Sequence, residues 1–226
     1  MDSPDPSTEL LAFFRGFITE ERWMKFKQVL AFRTRYITVV LEDIYQSQNA
    51  SAVLRTCDLT GIQDVHIIEN KNKYDLNPDV TLGSNKWINM LKYNQKEENT
   101  LPAFNHLRKQ GYLIVATSPH KEHYTPESIP LDKPLALVFG TEKNGLSQRA
   151  LDHADAFIKI PMYGFTESYN ISVSAALLLH KLTERLRDSD VSWKLTDTEQ
   201  TMVLLSWCRQ TIRKVESLEK KFYDGN

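Results

Sequence analysis

The segment Leu135-Ala136-Leu137-Val138-Phe139 is apolar without a break, and it narrows the possible folds more than any other stretch. A run this short is strand-length, and an uninterrupted apolar run suits a strand covered on both faces. Such strands belong to parallel sheets with helices packed on either side. The neighbouring patterns agree. Residues 36–41 are β-branched and strand-like, and 64–68, 87–93, 112–116 and 157–160 read as further strands. Helical periodicity falls between them, at 49–59, 101–110, 147–153 and 171–187, with Gly61 and Gly111 as stops. Alternating β and α units predict an α/β fold, a mostly parallel sheet with helices on both faces. Residues 70–85 are polar, carry Pro78 and Gly83, and read as a long functional loop.

Residues 8–32 predict one or two amphipathic helices, and 196–223 an exposed amphipathic helix with Met202, Leu205, Ile212, Val215 and Leu218 as its apolar positions. The expected organisation is a helical, partly basic extension over 1–35, a central domain over 36–190, and a helical extension over 191–226. At 226 residues the chain can bury a full core. Cys57 and Cys208 are too few for a disulfide framework and have no CxxC partner. They point to a reducing cytoplasm and no metal site. The first residues lack a signal-peptide pattern, and the apolar stretch near 171–182 is too short and too Ser-rich to span a membrane. Net charge is −1, which argues against a protein that coats nucleic acid. Positive charge does cluster locally: Arg15, Arg22, Lys25, Lys27, Arg33 and Arg35 face only Glu20 and Glu21.

Three polar islands interrupt this pattern where strands give way to loops or helices, the positions at which open α/β sheets bind ligands. In the first, Asn49 is placed to cap a helix whose buried face is Ala50, Val53, Leu54 and Cys57. Arg55 lies off that stripe and taken alone reads as a surface partner of Asp58. The second runs Gly140-Thr141-Glu142-Lys143-Asn144-Gly145. It is not a P-loop, because Leu146 and Ser147 stand where that motif needs Lys and Ser or Thr, and Glu142 would repel a phosphate. Its glycines suit backbone approach to an uncharged ligand part. The third runs from Ile160-Pro161-Met162 to Ser168-Tyr169-Asn170. N-capping explains one of Ser168 and Asn170 but not both.

Together the islands resemble the motifs of the SpoU/TrmH branch of the SPOUT RNA 2'-O-ribose methyltransferases. The first motif matches Asn49 and Arg55, six residues apart; the second matches residues 137–147; the third matches 160–172, with Tyr169 in place of the usual Leu and Ile171 in place of Val. Gly83-Ser84-Asn85-Lys86-Trp87 adds a further likeness. The resemblance covers about residues 22–190. It implies a C-terminal trefoil knot at about 135–187 and S-adenosylmethionine as cofactor, held by Thr117, Gly140, Ile160, Met162 and Tyr169. It implies that Arg55 is catalytic, with Asn49, Glu142, Ser168 and Asn170 orienting it, the ribose and the cofactor loop.

The terminal helices match relatives that methylate guanosine 18 in the tRNA D-loop, so tRNA is the expected partner. Arg22, Arg33, Arg35, Arg185 and Arg187 are then candidate phosphate contacts. The family also implies a homodimer, for which Leu177, Leu178 and Leu179 offer apolar area. Alternative readings are methylation of another tRNA or rRNA nucleotide, or a non-catalytic RNA-binding or assembly factor. An oxidoreductase fits poorly, since no G-x-G-x-x-G follows a strand.

Overall fold

The computed structural model describes residues 5–74, 77–121, 123–141 and 143–224, the side chain of Pro78 apart. It divides into two compact units, Thr34–Trp193 and a second built from Met1–Arg33 together with Lys194–Asn226. In chain order the elements are α1 (Pro6–Arg15), α2 (Glu20–Leu30), β1 (Ile37–Glu42), α3 (Ser47–Thr60), β2 (Asp64–Ile68) and α4 (Pro78–Thr81). A 3-10 turn (Ser84–Lys86) precedes β3 (Asn89–Tyr93), α5 (Thr100–Lys109), β4 (Leu113–Thr117) and β5 (Leu135–Phe139). Then come α6 (Gln148–Asp152), β6 (Ala156–Ile158), α7 (Ile171–Arg187), α8 (Asp197–Thr211) and α9 (Val215–Asp224).

The larger unit is a six-stranded, wholly parallel sheet in the order β3-β2-β1-β5-β4-β6. Every residue of β1 and β5 is buried, as the apolar run required. Side chains alternate across the sheet. Ile37, Val39, Leu41, Leu135, Leu137 and Phe139 join α3 and α7 in one core, and Val40, Ala136 and Val138 join α5 and α6 in the other. Helix α3 ends as its glycine predicts. Gly61 takes φ +84°, and the amides of Gly61 and Ile62 bond the carbonyls of Asp58 and Cys57, a Schellman closure. The connection 118–134 passes outside β6, where Tyr124 bridges Ile158 and its carbonyl accepts from the Lys159 amide.

The smaller unit joins the two ends of the chain, and here the sequence expectation needs correction. The tail is two helices, not one, broken before Lys214, whose φ is +55°. Nor is α8 merely exposed: Val203, Leu204, Leu205, Trp207 and Cys208 are buried. The Trp207 ring meets Phe26 edge-on at 5.4 Å. Helix α8 opens with a full capping box between Thr196 and Glu199. Both cysteines are free and buried. No helix among the described residues is long and apolar enough to cross a membrane.

One buried titratable group gives the larger unit a pH dependence. His66 of β2 lies with Nδ1 2.9 Å from the Tyr93 hydroxyl of β3, and the His106 ring of α5 stands 6.5 Å away. Burial, and secondly the charge of His106, hold its pKa down to about 4 from 6.5. A base with a lowered folded pKa stabilises fully above its unfolded pKa, and that contribution is lost as pH falls from about 6.5 through 4. The loss is on the order of 3 kcal/mol. Melting temperatures measured between pH 7 and 4 are expected to fall less steeply for His66→Gln than for the unaltered protein. Parallel curves would show that another group governs the acid limb.

Candidate active site

Parallel register brings β5, β4 and β6 to a common carboxyl edge, and the segments leaving them converge there. They enclose a crevice of about 320 Å³, lined from β4 by Thr117, Ser118 and His120, from β5 by Gly140, Thr141 and residues 143–146, and from β6 by Ile160, Met162, Ser168 and Tyr169. Ile171, Ser174 and Leu178 of α7 complete its wall. The charged lining side chains among the described residues are Lys143 and Glu167. All five residues expected to face a cofactor line this one space. The Thr117 hydroxyl is already engaged, donating to the Val138 carbonyl at 2.9 Å.

The loop after β5 closes on itself. Thr141 and Gly145 exchange both backbone hydrogen bonds at 2.9 Å, with Gly145 at φ +66°. A Cβ on Gly140 would collide with the Gly145 carbonyl group and the Leu146 amide. The approach that Gly140 permits is therefore of the loop to its own backbone, rather than to a ligand. Leu146 is buried against the α5/α6 core, and Ser147 caps α6 by accepting from the Ala150 amide. Glu142 lies outside the described residues, so its expected role has no structural counterpart here.

Asn49 is not the cap of α3. Gln46, in extended conformation, precedes the first helical residue, and Asn49 sits inside the first turn. Its amide donates to Gln46 Oε1 at 2.8 Å, and its Oδ1 accepts from Asn170 Nδ2 at 3.2 Å. Islands 121 residues apart in the chain thus meet. Asn170 is the cap of α7, accepting from the Ser172 amide, which leaves Ser168 facing the crevice. Arg55 is exposed, off the buried stripe of α3 as read from the sequence, and is not among the crevice lining. The segment after Asn77 flanks the same helix, since the Asn77 amide donates to Ser51 Oγ.

The five candidate phosphate arginines divide. Arg33 is 1% exposed, its guanidinium 5.4 Å from the Trp207 ring centroid, so it is a core residue and cannot meet a phosphate. Arg185 is likewise structural, donating to the carbonyls of Pro126 and Ile129 and strapping the 118–134 connection to α7. Arg35 pairs with Asp64 at 2.8 Å and is only partly exposed. Arg187 is exposed while donating to the Thr60 carbonyl at the end of α3. Arg22 is exposed and lines a shallow groove with Thr19 and Lys25. The leucine triplet also divides: Leu178 and Leu179 are core, and only Leu177 is exposed, at 44%.

Sequence reasoning missed Ser118 and His120, although their place directly after β4 is the strand-end signal itself. It also missed Glu42, the last residue of β1, whose carboxylate is buried. Nothing local marks it, because a charged residue ending an apolar run reads as the strand's exit into water.

A parallel α/β sheet with its ligand crevice at the carboxyl ends, walled by the second and third islands and joined to the first through the Asn49–Asn170 bond, defines the class: an α/β protein that binds a small molecule at strand ends. Comparison with known proteins makes the family specific. The model of the SpoU rRNA Methylase family matches residues 36–180, and the chain belongs to that family. It is 47% identical over 203 residues to a tRNA (guanosine(18)-2'-O)-methyltransferase of Borreliella burgdorferi, covering 90% of this chain and 91% of that one. A protein of the same name from Thermus thermophilus is 34% identical, covering 85% and 98%. The crystal structure of the A. aeolicus TrmH/SpoU tRNA modifying enzyme superposes with TM-score 0.75 at 29% identity, over 86% of this chain and 98% of that chain.

Proposed function

We propose that this protein transfers the methyl group of S-adenosylmethionine to the ribose 2'-hydroxyl of guanosine 18 in tRNA. The observation that carries the reading is the meeting of all three islands at one edge of the sheet, in a chain 47% identical to a protein named for that reaction.

The crevice fits the cofactor. Its volume of about 320 Å³ lies within the usual range for small-molecule sites, roughly 300–1,000 Å³. Ile160, Met162 and Leu178 offer apolar walls for an adenine, and Lys143 and Glu167 match the carboxylate and ammonium of a methionine moiety. When bound, the cofactor supplies an electrophilic methyl on a sulfonium. The protein's part is to hold the ribose in line with it. Arg55 is the residue for the developing alkoxide. A guanidinium is a poor proton acceptor, so the role that fits Arg55 is electrostatic stabiliser and phosphate anchor rather than base. Asn170 and Asn49, joined by their hydrogen bond, fix the start of α7 against the start of α3. Ser168 is left to orient the ribose, and Glu142 the cofactor loop.

Incubation with labelled S-adenosylmethionine and bulk tRNA or rRNA, followed by mapping of the labelled nucleotide, tests the reading. Label at guanosine 18 is expected. Label confined to another nucleotide or to rRNA would overturn the substrate, and no label would favour the non-catalytic factor. Exposed Arg22 and Lys25 on α2 are the proposed phosphate contacts of the smaller unit. Their joint replacement by Ala is expected to lower the slope of log K against log salt by about two for tRNA binding. An unchanged slope would remove this helix from the interface.

Three further features belong to the same reading. The connection between β4 and β5 passes along the outer edge of β6 at Tyr124, and the chain leaving β6 continues into α7, held to that connection by Arg185; this supports a trefoil knot. Val173 and Leu177 are exposed one turn apart on the same face of α7, which supports a homodimer through that helix. Two free thiols support a cytoplasmic setting.

A further inference from the structure

We propose that Glu42 is a positioning residue that latches the cofactor loop and ties it to the segment flanking Arg55's helix. The proposal rests on the methyltransferase reading given above and adds a residue to it.

Glu42 is 2% exposed and ends β1, beside β5 in the sheet. A carboxylate so buried is costly unless its oxygens are filled by donors. They are. Oε2 accepts from the Ser147 amide at 2.8 Å, and Oε1 accepts from the Ser147 hydroxyl at 2.8 Å and the Thr100 hydroxyl at 2.7 Å. Ser147 is the residue at which the 140–146 loop ends and α6 begins. The loop is thus fixed at one end by β5 and at the other by Glu42, across 105 residues of chain. Leu146, beside it, is buried as well.

The bonds continue. Thr100 Oγ1 accepts from Asn70 Nδ2 at 3.0 Å, and the Asn70 amide donates to Asp43 Oδ1 at 2.7 Å. Asp43 also accepts from the amides of Lys71 and Asn72. It takes φ +53°, a conformation that a non-glycine residue holds only against a cost its surroundings must offset. Glu42 and Asp43, adjacent in sequence, therefore clamp two different loops. One is the cofactor loop. The other opens the segment that reaches Ser51 on α3, one turn before Arg55. Networks of this kind hold a single arrangement only while every member is satisfied.

Glu42→Gln keeps the shape but removes the charge and one acceptor, so the Ser147 and Thr100 hydroxyls must turn to accept from its Nε2 or the Ser147 amide loses its partner. Two readouts separate a latch from general stability. S-Adenosylmethionine affinity, titrated well below the melting temperature, is expected to weaken roughly tenfold, with tRNA affinity unchanged. Amide exchange across 141–147 is expected to quicken at least tenfold relative to β1 and β5, with or without cofactor. Thr100→Val, which leaves both Ser147 bonds in place, is expected to give a smaller change of the same sign, about threefold. A lower melting temperature with unchanged cofactor affinity and unchanged exchange at 141–147 would overturn the proposal. If the Gln variant does not fold, the Val variant decides by the same two measurements. Failure of the unaltered protein to bind the cofactor would sink the methyltransferase reading instead, and the exchange measurement would still judge the latch.

Discussion

Arg55→Ala is expected to lower single-turnover methylation of tRNA by roughly 10²–10³-fold or more, the usual cost of removing a donor aimed at a developing oxyanion. Affinity for S-adenosylmethionine should stay within about threefold, because Arg55 lies outside the crevice lining. Folding should be untouched, since the side chain is exposed and apart from the buried face of α3. Arg55→Lys separates the two things a guanidinium offers. It keeps the charge and loses the planar fork, so partial recovery would indicate that charge alone supports catalysis. Equal loss of turnover and cofactor affinity in the Ala variant would refute the catalytic role. The contrast with Arg33 is instructive. That arginine, read from sequence as a phosphate contact, is packed on Trp207, and its removal is a question of stability rather than of RNA.

Gly140→Ala is the second large effect. The added methyl would be driven into the Gly145 carbonyl group and the Leu146 amide, all backbone that cannot swing aside as a side chain would. Either the Thr141–Gly145 pairing opens or the loop shifts off Leu146. Overpacking of this kind costs about 1–3 kcal/mol in stability. The larger loss is expected in cofactor affinity, at roughly a hundredfold, because the displaced loop is a wall of the crevice. Gly164→Ala is the control. Its Cβ would meet only the Thr166 amide at 4.0 Å, an ordinary contact, so stability should change by less than about 0.5 kcal/mol. Titration calorimetry and thermal melts of both variants check the pair. Normal cofactor binding by Gly140→Ala would mean that the closed loop shape is not needed.

Much of the fold is legible in the sequence. The uninterrupted run at 135–139 announced a strand covered on both faces, and α7 begins and ends where its periodicity does. The edge that carries the crevice was legible as well, since the ends of parallel strands share one edge and residues following β4, β5 and β6 must meet there; which residues would face a cofactor came from the family resemblance. Asn49 was read as a cap because an Asn before an apolar stripe usually is one. The chain instead turns into the helix at Gln46, and Asn49 is left to reach Asn170.

What the sequence determined by itself is the order of elements, their faces and the edge that carries the chemistry. These follow from periodicity, which reports whether a side chain is covered. It does not report what covers it. Only the tertiary structure decided that the two chain ends build one helical unit, and that two of five arginines are structural members. Only it showed that Gly140 makes room for its own loop, and that a buried strand-end glutamate accepts from Ser147, 105 residues away. A charged side chain takes its role from the group across from it, and that group is chosen by the fold.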